Sequence, residues 1–203
     1  MNPPEKETGF EDLRKTIVDL HKLLESHELP HAFGGAIALA FYTEPRATAD
    51  IDINVFRPKA QGPEVLHILN SQMSAEEAKI HEEHIEKFYG ASVPYKGAEV
   101  DLFFSFTELH DQAAERIRNV EYRDVSIPII SPEDLIIFKV MYSSNPDRLD
   151  RDWPDIAGML INQSGNLDSE YIQTWLHTLL PDDDPRFNRL RNLGLPERGA
   201  TNT

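Results

Sequence analysis

Two aspartates, Asp50 and Asp52, stand two residues apart in a segment where polar and apolar residues alternate, Asp50-Ile51-Asp52-Ile53-Asn54-Val55. Such alternation is typical of a β-strand and predicts that both carboxylates lie on one face and the aliphatic side chains on the other. A third carboxylate, Asp101, lies inside the otherwise apolar segment 99–106. Oxygen ligands of this kind suit magnesium bound together with substrate phosphates. The three aspartates therefore predict a metal site.

The chemistry that such a site supports is in-line phosphoryl or nucleotidyl transfer. Two metal ions about 3.5 to 4 Å apart can activate the attacking oxygen and stabilise the leaving pyrophosphate. We therefore expect Asp50, Asp52 and Asp101 to be catalytic and metal-binding, with two Mg²⁺ ions or alternatively Mn²⁺. Asp101 would also accept the proton of the nucleophile. Glu99, on the same face of the strand, is the alternative third metal ligand. The simpler interpretation of an isolated Asp-x-Asp pattern is the solvent face of an edge strand.

Gly34 and Gly35 precede a short apolar segment, 36–42, that is predicted to be a buried helix. Backbone amides at a helix N-terminus can bind phosphate, and glycine allows the phosphate to approach closely. Taken alone, a Gly-Gly pair is more often a turn. Upstream of the aspartates, it predicts a phosphate-binding turn.

The elements that must position these residues follow from periodicity and turn signals. Thr8 and Glu11 are spaced as a capping box at the start of the first helix. A turn at Lys96-Gly97 joins two predicted strands, 91–95 and 99–106, while shorter extended segments are expected at 31–33 and 122–130. The predicted helices of this part are 9–26, 36–42, 63–70, 75–88 and 108–118.

The C-terminal part is predicted to be mainly helical. Ser131 and Pro132 supply an N-cap and a proline at the first helical position, followed by acidic residues. The helices expected after them are 135–142, 152–162, 169–180 and 185–193. The predicted fold class is α+β: a mixed sheet flanked by helices over 1–130, a helical part packed on it over 131–194, and a flexible tail over 195–203.

Two stretches, Phe33-Gly34-Gly35-Ala36 and Arg46-Ala47-Thr48-Ala49-Asp50-Ile51-Asp52-Ile53, resemble the signature of the DNA polymerase β-type nucleotidyltransferase superfamily. Segment 33–55 is most similar to the AbiEii-like nucleotidyltransferases, which include toxins of toxin-antitoxin systems. The resemblance implies a palm-like nucleotidyltransferase fold, metal on the aspartate pair, triphosphate at the glycines and an antitoxin protein as a further partner.

Two later stretches, 131–139 and 148–156, resemble the family's lysine-bearing helix and its Arg-x-x-Asp-like segment. The resemblance implies nucleotide contacts for Lys139 and Asp152, with Asp150 or Asp155 as alternatives to Asp152. An ammonium in an apolar helix needs a partner, so Lys139 contacts either phosphate or an internal carboxylate. Asp152 and Asp155 could instead compensate the dipole at a helix start.

Arg46 and Thr48 directly precede the aspartate strand. Both could reach phosphate oxygens and are counted as nucleotide-binding candidates. The alternative for Arg46 is that its side chain holds the loop that precedes the strand.

Composition limits the functions that fit. The chain has 203 residues, no cysteine and a net charge of −15. These features exclude a disulfide framework and disfavour broad nucleic-acid binding, while apolar runs are too short to span a membrane. With no secretory signal apparent, we expect a cytoplasmic protein.

We expect a Mg²⁺-dependent enzyme that transfers a nucleoside monophosphate from an NTP to an RNA or protein acceptor and releases pyrophosphate, as a toxin of a toxin-antitoxin system would. One alternative is an aminoglycoside-type enzyme with a small cationic acceptor. The other is a catalytically silent member of the fold that binds nucleotide or a partner protein.

Overall fold

The computed structural model describes residues 5–143 and 146–199, with side chains from residue 12 onward and, in the second range, from residue 150 onward. The chain forms two compact units. The first contains the residues up to Ile37 together with Ala47–Ile130. The second contains Ala38–Arg46 and the residues from Ser131 onward. Segment 38–46, which lies within the predicted α/β core, therefore clusters with the helical part.

The first unit contains a six-stranded mixed sheet with the strand order β3-β4-β2-β1-β6-β5. The pairs β2–β4 and β1–β6 are parallel, and the other neighbouring pairs are antiparallel. The strands are β1 (His31–Phe33), β2 (Asp50–Pro58), β3 (Gly90–Tyr95), β4 (Ala98–Ser105), β5 (Arg118–Tyr122) and β6 (Val125–Ile129). The predicted α+β class with a mixed sheet flanked by helices is confirmed.

Both units contain helices. In the first unit they are α1 (Glu5–Ser26), α3 (Gly62–Leu69), α4 (Ala75–Phe88) and α5 (Glu108–Glu115), with α2 (Gly35–Leu39) beginning there. The second unit contains α6 (Pro132–Tyr142), α7 (Pro146–Asn162), α8 (Ser169–Leu179) and α9 (Pro185–Asn192). Within residues 5–143 and 146–199, no helix has the length and apolar character needed to cross a membrane.

The central strands β2 and β4 bury one face each. Ile51, Ile53, Val100 and Leu102 are at most 1% exposed, whereas the aspartates between them are partly exposed. The alternation predicted from the sequence is therefore confirmed in both strands. Burial of the aliphatic face fixes the register, because a slip of one residue would turn the carboxylates into the core.

The hairpin β5–β6 was not predicted. Helix α5 ends at Glu115 rather than at 118, and Arg118–Tyr122 pairs with Val125–Ile129 as a separate strand. The turn between them places Arg123 and Asp124 at φ of 52° and 64°. Two-residue hairpin turns need such positive φ values, and the usual signal is Asn-Gly or Asp-Gly. An Arg-Asp turn carries no comparable signal.

Several helix boundaries differ from the prediction, among them the start of α1 and the end of α2. Helix α1 begins at Glu5, so Thr8 lies inside it and the predicted capping box is wrong. Helix α2 ends at Leu39 rather than at 42.

The first residues of the predicted flexible tail are ordered by contacts. Leu195 is 1% exposed, and Gln173 donates a 2.6 Å hydrogen bond to the Pro196 carbonyl, so these residues are held in the fold. Residues 200–203 of the predicted flexible tail lie outside the described residues.

Helix α6 is the apolar helix of the second unit. The Ser131 hydroxyl accepts a 3.1 Å hydrogen bond from the amide of Asp134, which confirms the predicted N-cap. Leu135, Ile136 and Val140 are buried along this helix. Within the second unit, α6 packs against α7 and α8.

Three histidines of the first unit, His21, His31 and His110, are buried. His21 and His31 are joined by a 3.0 Å hydrogen bond between ring nitrogens, and His31 Nδ1 lies 2.7 Å from the Leu29 carbonyl oxygen. The carbonyl can only accept, so His31 Nδ1 carries the proton and His31 Nε2 accepts from His21. Burial lowers the pKa of His21, His31 and His110 below the usual value of a histidine.

These pKa shifts predict that acidification destabilises the fold. The unfolded chain binds protons on these histidines below about pH 6.5, whereas the folded chain resists protonation. Stability should therefore be fully present above pH 6.5 and should fall as the pH drops toward the lowered pKa values, by up to about 1.4 kcal/mol per histidine and pH unit. Urea unfolding at pH 7.5 and 5.5 measures this. A midpoint that rises on acidification would contradict the assignment, and His110→Gln should reduce the fall.

Candidate active site

The parallel pair β2–β4 brings the predicted aspartates together. In the register of this pair, Asp52 lies opposite Asp101 and Asp50 lies opposite Glu99. Residues directly opposite each other share a face of the sheet, at strand spacings of about 4.8 Å. Asp50, Asp52 and Asp101 therefore lie on one partly exposed face, as the sequence predicted, with Glu99 beside them.

The Gly34-Gly35 turn packs directly on Asp52. The amide of Gly34 donates a 2.9 Å hydrogen bond to the Asp52 carbonyl oxygen. Gly35 has a φ of 48°, and a Cβ added there would lie 1.7 Å from Asp52 Oδ2. A side chain at position 35 would thus occupy the place of the Asp52 carboxylate. Glycine is needed at this position for its backbone conformation and for the space above it.

The structure limits how Gly34 and Gly35 could bind phosphate. Helix α2 has only five residues, and the Gly34 amide is already bonded to Asp52. A helix this short contributes little dipole, so any phosphate binding would depend on the individual backbone groups of the turn. The phosphate-binding role of Gly34 and Gly35 stays a prediction, while their contact with Asp52 is a feature of the fold.

Replacing Gly35 by alanine should disturb the site more than the same change at Gly34. The Gly35→Ala Cβ would collide with the Asp52 carboxylate and would force a positive φ on alanine, which costs about 1–2 kcal/mol. The Gly34→Ala Cβ would lie 2.9 Å from the Asn54 side-chain nitrogen, the end of a flexible side chain, and at an ordinary contact distance of 3.7 Å from Asp52 Cβ. We expect Gly35→Ala to lose nearly all NTP-dependent activity. Comparing activity and urea unfolding of both variants checks this, and equal activity of the two would contradict it.

Ser92 on strand β3 belongs to the site but was missed in the sequence. Its hydroxyl oxygen lies 2.5 Å from Asp101 Oδ1 and 2.8 Å from Glu99 Oε1. The β3–β4 pairing places Ser92 directly opposite Asp101. A signal was present, because the two-residue turn at Lys96-Gly97 fixes the register of this hairpin and so pairs position 92 with position 101.

Thr48 contacts the backbone of the aspartate strand. Its hydroxyl donates to the Asp50 carbonyl oxygen at 3.2 Å and accepts from the Asp50 amide at 3.3 Å. These local hydrogen bonds order the approach to β2 and the position of Asp50. The predicted contact of Thr48 with phosphate remains a prediction.

The carboxylates match the donor chemistry of a magnesium site. Among the residues that the structure describes, no three His, Cys, Asp or Glu side chains converge as a metal-binding group. Magnesium, however, usually binds proteins through one or two carboxylates and takes its remaining ligands from water and substrate phosphates. The opposed pair Asp52 and Asp101 supplies two carboxylates, and Asp50 lies two residues away on the same face.

Lys139 of the second unit has carboxylate partners. Its Nζ lies 3.0 Å from Asp152 Oδ1 and 2.8 Å from Asp155 Oδ2, and all three side chains are buried. Arg46 Nε lies 3.2 Å from the same Asp155 oxygen. The internal salt bridge is thus present for Lys139, and Arg46 ties its own segment to α7. Their nucleotide contacts stay predictions.

The positions of Asp152 and Asp155 correct the sequence analysis. Helix α7 begins at Pro146 rather than near 152, so neither aspartate lies at its start and neither compensates its dipole there. Asp152 Oδ2 is buried without a hydrogen-bond partner among the described residues. Asp150, the alternative acidic residue, is exposed. Burial beside Lys139 therefore distinguishes Asp152 and Asp155 from Asp150.

No protein-family model matches the chain, and no curated protein sequence matches it. Several solved structures align with the chain. The solution structure of the antibiotic-resistance factor ANT(2'')-Ia aligns with a TM-score of 0.57 at 13% identity, covering 89% of this chain and 95% of that one. ANT(2'')-Ia in complex with adenylyl-2''-tobramycin aligns with a TM-score of 0.51 at 14% identity, covering 82% and 95%.

A nucleotidyltransferase-like protein from Paracoccidioides brasiliensis aligns over 93% of this chain and 94% of that one, at 16% identity and a TM-score of 0.47. At 13% and 14% identity, the two ANT(2'')-Ia alignments show the fold alone. Two alignments have a TM-score above 0.5. They support the same fold as the mixed sheet, which carries the carboxylates on β2 and β4. The chain therefore has the nucleotidyltransferase fold.

Proposed function

We propose that this chain is a Mg²⁺-dependent nucleotidyltransferase that moves a nucleoside monophosphate from an NTP to an acceptor and releases pyrophosphate. The observation that carries the proposal is the opposition of Asp52 and Asp101 on parallel strands, with the Asp52 carboxylate against Gly35. A row of carboxylates beside a glycine turn is what a metal-bound triphosphate requires.

Each residue of the site has a role in this proposal. Asp50, Asp52 and Asp101 would hold Mg²⁺, which when bound supplies charge neutralisation on the phosphates and a more reactive acceptor oxygen. Gly35 lacks the Cβ that would displace the Asp52 carboxylate from its position. Thr48 orders the backbone of Asp50. Asp101 is the proposed base that takes the proton of the acceptor hydroxyl.

Two acceptor classes are supported by different observations. The resemblance of segment 33–55 to AbiEii-like nucleotidyltransferases supports an RNA or protein acceptor and a partner antitoxin. The net charge of −15 supports a small cationic acceptor, which a negative surface would attract. ANT(2'')-Ia, bound to adenylyl-2''-tobramycin, shares the fold and illustrates this second class. Growth arrest on expression would favour the first class, and protection against aminoglycosides would favour the second.

The test is incubation of the purified chain with each labelled NTP, Mg²⁺ and separate pools of RNA, protein and aminoglycosides. We expect Mg²⁺-dependent pyrophosphate release together with label on one pool. Failure to consume any NTP in every pool would reject the proposal. That result, combined with Mg²⁺-dependent NTP binding, would identify a catalytically silent member of the fold.

A further inference from the structure

Ser92, Asp101 and Asp52 form a row across three neighbouring strands of the sheet. Ser92 of the edge strand β3 lies opposite Asp101 of β4, and Asp101 lies opposite Asp52 of β2. Opposed residues share a face, and neighbouring strands are about 4.8 Å apart. A hydroxyl, the proposed base and a carboxylate of the proposed metal site therefore follow one another on the same face.

The Ser92 hydroxyl is placed as an activated nucleophile would be. Its oxygen lies 2.5 Å from Asp101 Oδ1, within reach of proton transfer, and 2.8 Å from Glu99 Oε1. A serine is activated when a neighbouring base accepts its proton. The hydroxyl has one proton and can donate to only one of these carboxylates at a time. Ser92 is exposed, so its hydroxyl is accessible from solvent.

We propose that Ser92 is itself an acceptor, so that the chain attaches a nucleoside monophosphate to its own serine. The proposal rests on the proposed function, because it uses the same NTP and the same aspartates. In the reaction, Ser92 Oγ attacks the α-phosphorus of the NTP and forms a new O–P bond. The bond from that phosphorus to the bridging oxygen breaks, pyrophosphate leaves with the electron pair, and the hydroxyl proton passes to Asp101.

Mass spectrometry after incubation with each NTP and Mg²⁺ tests the proposal. The intact chain should gain the mass of one nucleoside monophosphate unit. Trypsin cleaves after Lys87 and Lys96, so peptide 88–96 carries Ser92, with Tyr89 and Tyr95 as its other hydroxyl residues. Fragmentation should locate the modification on Ser92. Because the reaction is intramolecular, its first-order rate constant should not change with protein concentration.

Three serine variants separate the acceptor role from a structural one. Ser92→Ala should lose the modification, whereas Ser92→Thr, which keeps a hydroxyl and suits a strand, should retain it. Ser126→Ala changes another exposed strand serine, on β6, and should be modified like the unaltered chain. Urea unfolding of all three confirms that each variant is folded.

Two results would overturn the proposal while leaving the proposed function intact. One is Mg²⁺-dependent pyrophosphate release with an unmodified chain. The other is modification of Tyr89, Tyr95 or another residue that persists in Ser92→Ala. A chain that consumes no NTP with any acceptor would reject the proposed function, and the self-modification with it.

Discussion

Asp52→Asn is expected to reduce NMP transfer by at least about a thousandfold while the protein stays folded. The change keeps the shape of the side chain but removes the negative charge of a proposed Mg²⁺ ligand. Asp52 lies opposite Asp101 in the β2–β4 pair. A thousandfold loss corresponds to about 4 kcal/mol of transition-state stabilisation, a magnitude typical of a removed electrostatic contact. Initial rates of pyrophosphate release measure the effect. Stability should change by less than about 1 kcal/mol, because Asp52 is only partly buried.

Glu121→Gln is the matched control for this change. It also neutralises a carboxylate on a strand of the sheet, but Glu121 is exposed on β5, away from the row of aspartates in strand order. Its transfer rate should equal that of the unaltered chain. Retention of more than a tenth of the rate by Asp52→Asn would contradict the role assigned to Asp52.

Lys139→Met should give the largest loss of stability. It removes the ammonium between Asp152 and Asp155, which are 2% and 7% exposed, and leaves their charges buried. Removing one partner of a buried ion pair typically costs about 3–5 kcal/mol, because the remaining charge is uncompensated. Arg46 contacts only the Asp155 side of the cluster and cannot replace the lysine at Asp152. Urea unfolding measures the change.

Lys59→Met provides the surface comparison. Lys59 forms a 2.7 Å ion pair with Glu86, whose side chain is 75% exposed, so its loss should destabilise the fold far less than the loss of the buried Lys139. Adding Asp152→Asn and Asp155→Asn to Lys139→Met should recover part of the lost stability by removing the stranded charges. If Lys139→Met were no more destabilised than Lys59→Met, the buried cluster would not have the energetic role assigned to it.

Local patterns were sufficient to predict much of the site. Alternation over Asp50–Val55 placed both aspartates on one face because the side-chain period of a strand is two residues. The same rule placed Asp101 and Glu99 together. It could not pair Asp52 with Asp101, since the register of parallel strands depends on contacts between segments distant in the chain. The sequence therefore predicted which residues could meet without predicting how.

The remaining differences come from positions where local signals are weak or ambiguous. Arg123 and Asp124 adopt positive φ without a glycine, so the β5–β6 hairpin was read as the end of a helix and one strand. The start of α7 at Pro146 was missed, and Asp155 was consequently assigned to a helix terminus instead of to Lys139. In both cases tertiary pairing, which no local pattern encodes, decided the structure.

Binding of Mg²⁺ and NTP tests the central claim most directly, independently of the unidentified acceptor. The melting temperature of the chain is measured with each of the four NTPs, with Mg²⁺ and with a chelator instead. A ligand at a hundred times its Kd stabilises the folded state by about 2.7 kcal/mol. We predict a rise with at least one NTP when Mg²⁺ is present, no rise with the chelator, and no rise in Asp50→Asn/Asp52→Asn. An unchanged melting temperature with every NTP, or the same rise without Mg²⁺, would contradict the account.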